Sequence, residues 1–359
     1  MLVIHVGPRK TGTTYLQNNF HRNRAELIRR GWFYPQVSLG VQSAHHDVAA
    51  SRDEIRKGQG PMVDRLRRAA RKAAKLGTNI FLSSEAFRTW EAEDYGFLAR
   101  TFGESRAMIV YTLRDPVSLL HSVWGETVKT GRTHSLPEFV AANCDKALRS
   151  ANLNAMVQLK PIIDRPELDL IVLDYEALRS SGADLYTSFC LHALGLDGMQ
   201  PQRTRPANSS YSVELTEYIR LLARHLGDYT EDKSLMFARR FEHCHSPAEI
   251  AEIEALVRDS GADARGQVAL DRSEPWFLAL ERAASRALRS YLRPTHPEGR
   301  LFPQGVTFYA CYDIDRLEDI AAIATWRDRS AERMRNASTP WKKSGIMRAW
   351  RHIKRRFWI

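Results

Sequence analysis

Short apolar runs alternate with helical segments along the first half of the chain. Alternation of this kind is typical of α/β proteins, in which helices cover both faces of a parallel sheet. One helical segment begins at Pro61 and ends at Gly77, a proline and a glycine placed where helices commonly start and stop. The pattern predicts a doubly wound parallel sheet, whose ligands bind at the carboxyl ends of the strands. The predicted strands are Leu2–Val6, Asn79–Ser83, Ala107–Leu113 and Leu168–Leu173.

The pattern becomes mainly helical after residue 210. Helical periodicity runs through residues 213–226, 246–261 and 274–292. Ser246 and Glu249, three residues apart, predict a capping box at the start of the second of these helices. We therefore expect a core of residues 1–210 and a helical extension of residues 211–338, which packs on the core and helps to form a substrate cleft.

Residues 339–359 differ sharply from the rest of the chain, because they carry many basic residues and no acid. A basic amphipathic segment can lie on an anionic membrane surface, where each basic residue contributes about 1 kcal/mol. The alternative is a helix whose tryptophans dock on the body of the protein, and both interpretations stay open. The basic residues are Lys342, Lys343, Arg348, Arg351, Lys354, Arg355 and Arg356, and the apolar residues between them are Trp341, Ile346, Met347, Trp350, Ile353, Phe357 and Trp358.

Charge is the most unusual property of the composition. The 359 residues carry a formal net charge of +11, whereas the apolar content of 43% and the charged content of 26% are ordinary. We therefore expect an anionic partner, such as a doubly phosphorylated nucleotide, an acidic glycan or anionic lipid. Nucleic acid is not expected, because no recognition motif accompanies the charge.

The cysteines and the start of the chain indicate its compartment. Cys144, Cys190, Cys244 and Cys311 are scattered and form no CxxC pair. The chain begins with a strand rather than a charged and then apolar leader, and no apolar run approaches the ~20 residues that span a bilayer. We expect a reducing, cytoplasmic protein, with its tail as the segment that would bind the inner membrane face. The triplet His243–His245 lacks a matching ligand pair, so no metal is expected.

Residues Gly7 to Thr14 read GPRKTGTT and lie between the first strand and a helical segment. Glycines let successive N–H groups point at an anion, and the helix start, a lysine and hydroxyls add further attraction. The context predicts a phosphate-binding loop. In the common loop GxxxxGK[ST] the lysine follows the second glycine, but here Thr13 occupies that position and Lys10 precedes Gly12 by two residues. A nucleoside triphosphate would therefore lack its usual clamp.

A second segment also predicts a phosphate site. The strand that ends in Arg114 runs into a helix with Pro116 in its first turn, and Ser122 follows Arg114 by eight residues. Guanidinium is a permanently charged, bidentate phosphate ligand, and a hydroxyl on the helix adds a donor. The alternative is an arginine that caps a helix.

The loop, Pro8 to Leu16, resembles the 5′-phosphosulfate loop of the sulfotransferases, whose usual form is PKSGTTW or PKTGTTxL. Arg9 is an extra residue between the family's proline and lysine. In that family the same arginine-to-serine spacing binds the 3′-phosphate of the donor, 3′-phosphoadenosine 5′-phosphosulfate (PAPS), and the strand Leu168 to Leu178 is similar to one that ends in YEDL. The resemblance covers about the first half of the chain, and it implies a P-loop type α/β core that needs no metal. It assigns donor binding to Arg9, Lys10, Thr11, Gly12, Thr13, Thr14, Arg114 and Ser122.

The resemblance implies sulfuryl transfer to a hydroxyl of a carbohydrate or glycolipid. Such a transfer depends on positioning, on charge stabilisation and on a general base. We expect Lys10 to stabilise charge on the departing phosphate. Our candidate base is Glu85, because the family places its base after the corresponding strand; the alternative is a carboxylate at a helix start. His45 and His46 are rival bases, although their predicted loop position favours a surface role.

Two other functions stay open. An ATP-dependent kinase of similar architecture would use Asp174 to hold Mg²⁺, but the position of Lys10 disfavours it, and magnesium-dependent ATP binding would identify it. A non-catalytic basic module would bind acidic glycan or lipid with a vestigial nucleotide pocket, and its binding would survive replacement of Lys10 or Glu85 by alanine. The residues that bind adenine are not assigned by the sequence.

Overall fold

The computed structural model describes residues 1–37, 43–202, 211–227, 237–260, 265–294 and 300–337. The basic tail, residues 339–359, lies outside the described residues, so its membrane or docking role stays a prediction.

A six-stranded sheet forms the centre of the protein, and all of its neighbouring strands run parallel. The four strands predicted from apolar runs are confirmed as β1, β3, β4 and β5. The spatial order in the sheet is β2-β3-β1-β4-β5-β7, and β6 pairs with β8 in a separate antiparallel sheet. The strands are β1 (Leu2–Val6), β2 (Trp32–Phe33), β3 (Asn79–Ser83), β4 (Ala107–Leu113), β5 (Leu168–Asp174), β6 (Arg265–Asp271), β7 (Leu292–Arg293) and β8 (Val306–Tyr312).

Helices connect the strands and continue through the second half of the chain. The predicted helix from Pro61 ends at Gly77, which adopts the left-handed conformation that commonly terminates helices. The helices are α1 (Thr13–Arg22), α2 (Arg24–Arg29), α3 (His46–Ala50), α4 (Arg52–Lys57), α5 (Pro61–Leu76), α6 (Ala92–Thr101), α7 (Pro116–Lys129), α8 (Leu136–Cys144), α9 (Met156–Ile163), α10 (Tyr175–Ser180), α11 (Leu185–Leu194), α12 (Val213–Leu226), α13 (Phe237–Cys244), α14 (Pro247–Arg258), α15 (Pro275–Leu288), α16 (Ile314–Glu318) and α17 (Ala321–Asn336).

Both faces of the sheet are buried, as a doubly wound sheet requires. Side chains alternate between the faces along a strand, and in β1 Leu2 and Ile4 enter one apolar core whereas Val3 enters another. Helices α5, α6, α9 and α15 cover the first face, and α1, α2 and α11 cover the second. Strands buried on both sides explain why the sequence shows continuous apolar runs rather than alternation.

The strand order places a topological switch point beside β1. The chain passes from β1 to β2 and β3 on one side and then crosses to β4, β5 and β7 on the other. In open parallel sheets ligands bind in the crevice at such a point, outside the carboxyl ends of the strands. The register pairs Val6 with Tyr111, so the loop after β1 leaves the sheet next to the end of β4.

The second half of the chain is less purely helical than predicted. β6 and β8 form a ribbon, and β7 adds an edge strand to the main sheet. α15 packs in the core of the main sheet, whereas α12 lies at the centre of a third apolar cluster. The capping box between Ser246 and Glu249 is confirmed at the start of α14. Among the described helices, none is long and apolar enough to cross a membrane.

Candidate functional site

The loop between β1 and α1 turns sharply in two places. Lys10 and Gly12 have φ angles of 70° and 75°, in the left-handed region, which is uncommon for a residue other than glycine. Thr11 is fully buried, and its Oγ1 donates a hydrogen bond of 2.9 Å to the carbonyl oxygen of Pro8. A Cβ at Gly12 would lie 2.6 Å from Cδ2 of Leu185. The positive φ and this close approach together favour glycine at the second turn, where the loop meets the helix.

Helix α1 begins directly after this turn. Gly12 is its N-cap, no side-chain hydrogen bond caps its first turn, and that turn carries no acidic residue. The first N–H groups of a helix have no partner within the helix, and they carry a partial positive charge. Thr13 is buried and Thr14 is half-buried in this first turn. The start of α1 therefore offers donors to an anion, as the sequence predicts for this loop.

Arg114 connects the end of β4 to the loop. Its Nη1 donates a hydrogen bond to the carbonyl oxygen of Lys10, which confirms that the ends of β1 and β4 converge. Its guanidinium also lies over the Tyr175 ring, 5.3 Å from the centroid. Its Nε is 3.8 Å from Oε1 of Glu176 and is buried without a hydrogen bond. Burial raises the pKa of Glu176, and the charge of Arg114 opposes that rise.

Lys10 is held by a carboxylate that the sequence analysis did not identify. Its Nζ lies 2.5 Å from Oε1 of Glu126 in α7, and Lys129 approaches the same oxygen at 3.2 Å. Burial lowers the pKa of Lys10, while Glu126 opposes that shift. Burial also disfavours the charged form of Glu126, but the two lysines outweigh it and lower its pKa. An anion that binds Lys10 must therefore compete with Glu126.

Ser122 lies on α7 one helical turn before Glu126 and is half-buried. The preceding residue, His121, stacks on Tyr309 with 4.0 Å between ring centroids. Burial lowers the pKa of His121 to about 4, and the nearby positive charge of Arg114 adds to the effect. Arg114 lies near the start of the same helix, because it lines a pocket together with Pro116 and Leu119. The spacing of four residues between Ser122 and Glu126 was the sequence signal that could have identified the carboxylate.

Glu85 lies at the end of β3, at the same edge of the sheet. Ser84 caps the short 3-10 helix Glu85–Thr89, and Glu85 lies in its first turn, so the alternative of a carboxylate at a helix start also describes Glu85. Gln17 Nε2 donates to Oε2 of Glu85 at 3.2 Å, and His46 Nε2 lies 3.9 Å from Oε1. Burial favours the neutral acid, but His46, hydrogen bonds from the Glu85 backbone and from Gln17, and Arg9 outweigh it and lower the pKa of Glu85. Glu85 is therefore a carboxylate at neutral pH, as a general base must be.

The expectation that His45 and His46 occupy the surface is wrong. His45 is fully buried: its Nδ1 accepts the N–H of Ser83 at 3.0 Å, and its Nε2 donates to the carbonyl oxygen of Pro35 at 2.8 Å. Both ring nitrogens are thus occupied, because the ring joins a backbone group at the end of β3 to one in the segment after β2. His46 is only 13% exposed and shares a hydrogen bond of 2.7 Å with Ser84 Oγ. Of the two rivals, only His46 stands beside Glu85.

Asp174 has a structural role that bears on the kinase alternative. It is 2% exposed at the end of β5, and its Oδ1 accepts the N–H of Ala177 at 2.9 Å. This carboxylate is the N-cap of α10. The local hydrogen bond accounts for an aspartate at this position without Mg²⁺.

In the part of the chain that the structure describes, no group of three or more His, Cys, Asp or Glu side chains could hold a metal ion. The site at the switch point instead brings together the cations Lys10 and Arg114, the first N–H groups of α1, and the carboxylates of Glu126 and Glu176. The predicted donor-binding residues from Arg9 to Thr14 adjoin Arg114 there. Comparison of the chain with protein-family models, curated proteins and solved structures finds no match.

Proposed function

We propose that this protein is a sulfotransferase that uses PAPS as donor and a carbohydrate hydroxyl as acceptor. The observation that carries the proposal is the uncapped start of α1 beside Lys10 and Arg114, at the switch point of a parallel sheet. This arrangement suits a ligand with two separate anionic groups. The lysine precedes the second glycine, which favours a 5′-phosphosulfate over a nucleoside triphosphate.

The residues present fit the two ends of such a donor. Loop residues Thr11 to Thr14 and the first N–H groups of α1 would hold the 5′-phosphate, with Lys10 beside the transferred group. Arg114 has a buried Nε without a hydrogen bond, so it has capacity for an anion, and Ser122 would add a hydroxyl for the 3′-phosphate.

The proposed reaction needs only positioning, one cation and one base. Glu85 removes the proton of the acceptor hydroxyl, whose oxygen attacks the sulfur as the bond from sulfur to the phosphate oxygen breaks. Lys10 stabilises the negative charge on the leaving adenosine 3′,5′-bisphosphate. The lowered pKa of Glu85 keeps the base ionised at neutral pH, and its contact with Gln17 orients one carboxylate oxygen.

Transfer of labelled sulfate from PAPS into extracts of candidate glycans tests this function. We expect incorporation by the parent protein, and a rate lower by roughly a hundredfold or more in Glu85→Gln. Lys10→Met should also lose transfer. Matched controls are Glu104→Gln, where the carboxylate pairs with the N-terminal amine at 2.7 Å, and Lys75→Met, at the exposed end of α5. Label transfer that survives both site substitutions would contradict the assignment.

A further inference from the structure

One carboxylate oxygen at the site is shared by two lysines. Oε1 of Glu126 lies 2.5 Å from Nζ of Lys10 and 3.2 Å from Nζ of Lys129. The two lysine side chains are 24% and 18% exposed, so both are largely removed from water. Among the described residues, neither ammonium has a second carboxylate within 4 Å. Two cations therefore face one acid, which leaves one positive charge uncompensated in a partly desolvated place.

Lys129, the last residue of α7, is held in place by more than this carboxylate. Its Nζ lies over the ring of Tyr211, 4.3 Å from the centroid, in a cation–π contact. The Tyr211 hydroxyl in turn donates a hydrogen bond to the carboxylate of Glu242 in α13. These contacts do not involve Glu126, whose side chain is 44% exposed and has room to turn towards solvent. Lys129 would therefore keep its position if Glu126 moved away.

Lys10 lies in a strained part of the loop. Its φ of 70° is in the left-handed region, which is unfavourable for a residue with a Cβ. Residues held in such conformations cluster at binding and catalytic sites. Arg114 fixes the carbonyl oxygen of Lys10, and Gly12, two residues later, is the N-cap of α1. The backbone of Lys10 is thus held beside the helix start that offers N–H groups to an anion.

The arrangement of the two ammoniums fits a tetrahedral oxyanion. Because both contact the same carboxylate oxygen, they are close enough together to contact one phosphate or sulfate group in its place. A lysine ammonium has three donors, so each can bind such a group in the direction that Glu126 now occupies. A doubly charged anion would compensate both lysines, whereas the carboxylate compensates only one. Such an anion therefore has an electrostatic advantage over Glu126.

We propose that Lys10 and Lys129 form a two-lysine site for a doubly charged oxyanion, and that Glu126 occupies this site as an internal competitor until the anion displaces it. The inference rests on the proposed function only in identifying the anion as the phosphosulfate end of the donor. It adds Lys129 to the residues that bind this end. It also makes Glu126 a positioning residue, which holds Lys10 until the donor arrives.

Calorimetric titration of inorganic pyrophosphate into the full-length protein, in the presence of EDTA, tests the two-lysine site. We expect Glu126→Gln to bind pyrophosphate at least threefold more tightly than the parent, because the neutral amide competes less for the lysines. Lys129→Met should bind it at least tenfold more weakly. An ion pair that only stabilises the loop would not give these opposite signs. Asp164→Asn and Lys160→Met are matched controls with the same changes of charge, since they break an exposed pair of 2.8 Å at the end of α9, and both should bind as the parent does.

Titration of adenosine 3′,5′-bisphosphate into the same samples separates this inference from the proposed function. If the bisphosphate binds, but Glu126→Gln gains no affinity for pyrophosphate or Lys129→Met loses none, the two-lysine site is wrong and the sulfotransferase proposal stands. If both variants change pyrophosphate binding as expected but the bisphosphate does not bind, the site exists and the proposed function fails. Absence of heat with pyrophosphate in both the parent and Glu126→Gln also overturns the inference. Lys129→Met decides the question if Glu126→Gln fails to fold.

Discussion

Mild acid should destabilise this protein through two buried histidines. His5 is 1% exposed in β1, and its Nδ1 lies 2.8 Å from Ser83 Oγ. Burial lowers its pKa from 6.5 to about 4, against the attraction of Glu85. His45 is fully buried, and its pKa is also lowered to about 4 by burial, although its backbone hydrogen bonds oppose the shift. Both imidazoles are therefore neutral in the folded protein down to about that pH.

The sign and size of the effect follow from proton linkage. Between the folded pKa of about 4 and the unfolded pKa of 6.5, the unfolded chain binds more protons than the folded one, so stability falls as the pH falls. The stabilisation is complete above the unfolded pKa and is lost as the pH drops towards the folded pKa. From pH 7 to pH 5, each histidine lowers the free energy of unfolding by about 2 kcal/mol.

Urea unfolding at pH 7 and pH 5, followed by tryptophan fluorescence, measures this loss. His5→Gln and His45→Gln should each reduce the difference between the two pH values by about 2 kcal/mol. Each substitution also changes stability in a way that does not depend on pH, and this change cancels because only the difference between pH 7 and pH 5 is compared. His134→Gln is the control, since His134 is exposed. An equal pH difference in the parent and in both buried-site variants would refute the reasoning.

Two further substitutions test the packing around the site. Gly12→Ala should lower the free energy of unfolding by about 1–3 kcal/mol more than Gly77→Ala. Both glycines have a positive φ, but only at Gly12 would a Cβ lie 2.6 Å from a carbon of α11. Equal melting temperatures for the two variants would contradict this prediction. Arg272→Gln should cost about 3–5 kcal/mol, since Arg272 and Asp115 form a buried pair at 2.6 Å. Arg106→Gln, which breaks the exposed pair with Asp169, should lower the free energy of unfolding by less than about 1 kcal/mol in the same urea assay. Equal losses of stability in the Arg272 and Arg106 variants would contradict the prediction that burial makes the first pair more costly to break.

The main strands were predictable because strands buried on both faces of a sheet appear in the sequence as continuous apolar runs. β4, for example, is apolar or aromatic at all but one position. β6 gave no such signal, because only Leu270 among its residues is buried and the others face solvent or are half-covered. β7 has two residues and is defined by pairing with β5 rather than by its own pattern. The ribbon and the edge strand therefore depend on tertiary contacts that a local pattern does not contain.

The site was predictable only where residues are close in the sequence. The loop and its convergence with Arg114 follow from their positions at strand ends. Glu126 contacts Lys10 across 116 residues of sequence, and its only local signal is the spacing of four residues from Ser122 on α7. His45 was misplaced because adjacent polar residues suggest an exposed loop, whereas its ring completes hydrogen bonds at the end of β3.

The most direct test of the central claim is calorimetric titration of adenosine 3′,5′-bisphosphate in the presence of EDTA. We expect saturable binding without metal, and we expect this binding to be at least tenfold weaker in Arg114→Met and in Lys10→Met. ATP with Mg²⁺ should bind more weakly than the bisphosphate. Absence of heat with the bisphosphate, or tight binding of ATP only with Mg²⁺, would show that the protein does not bind a PAPS-type donor.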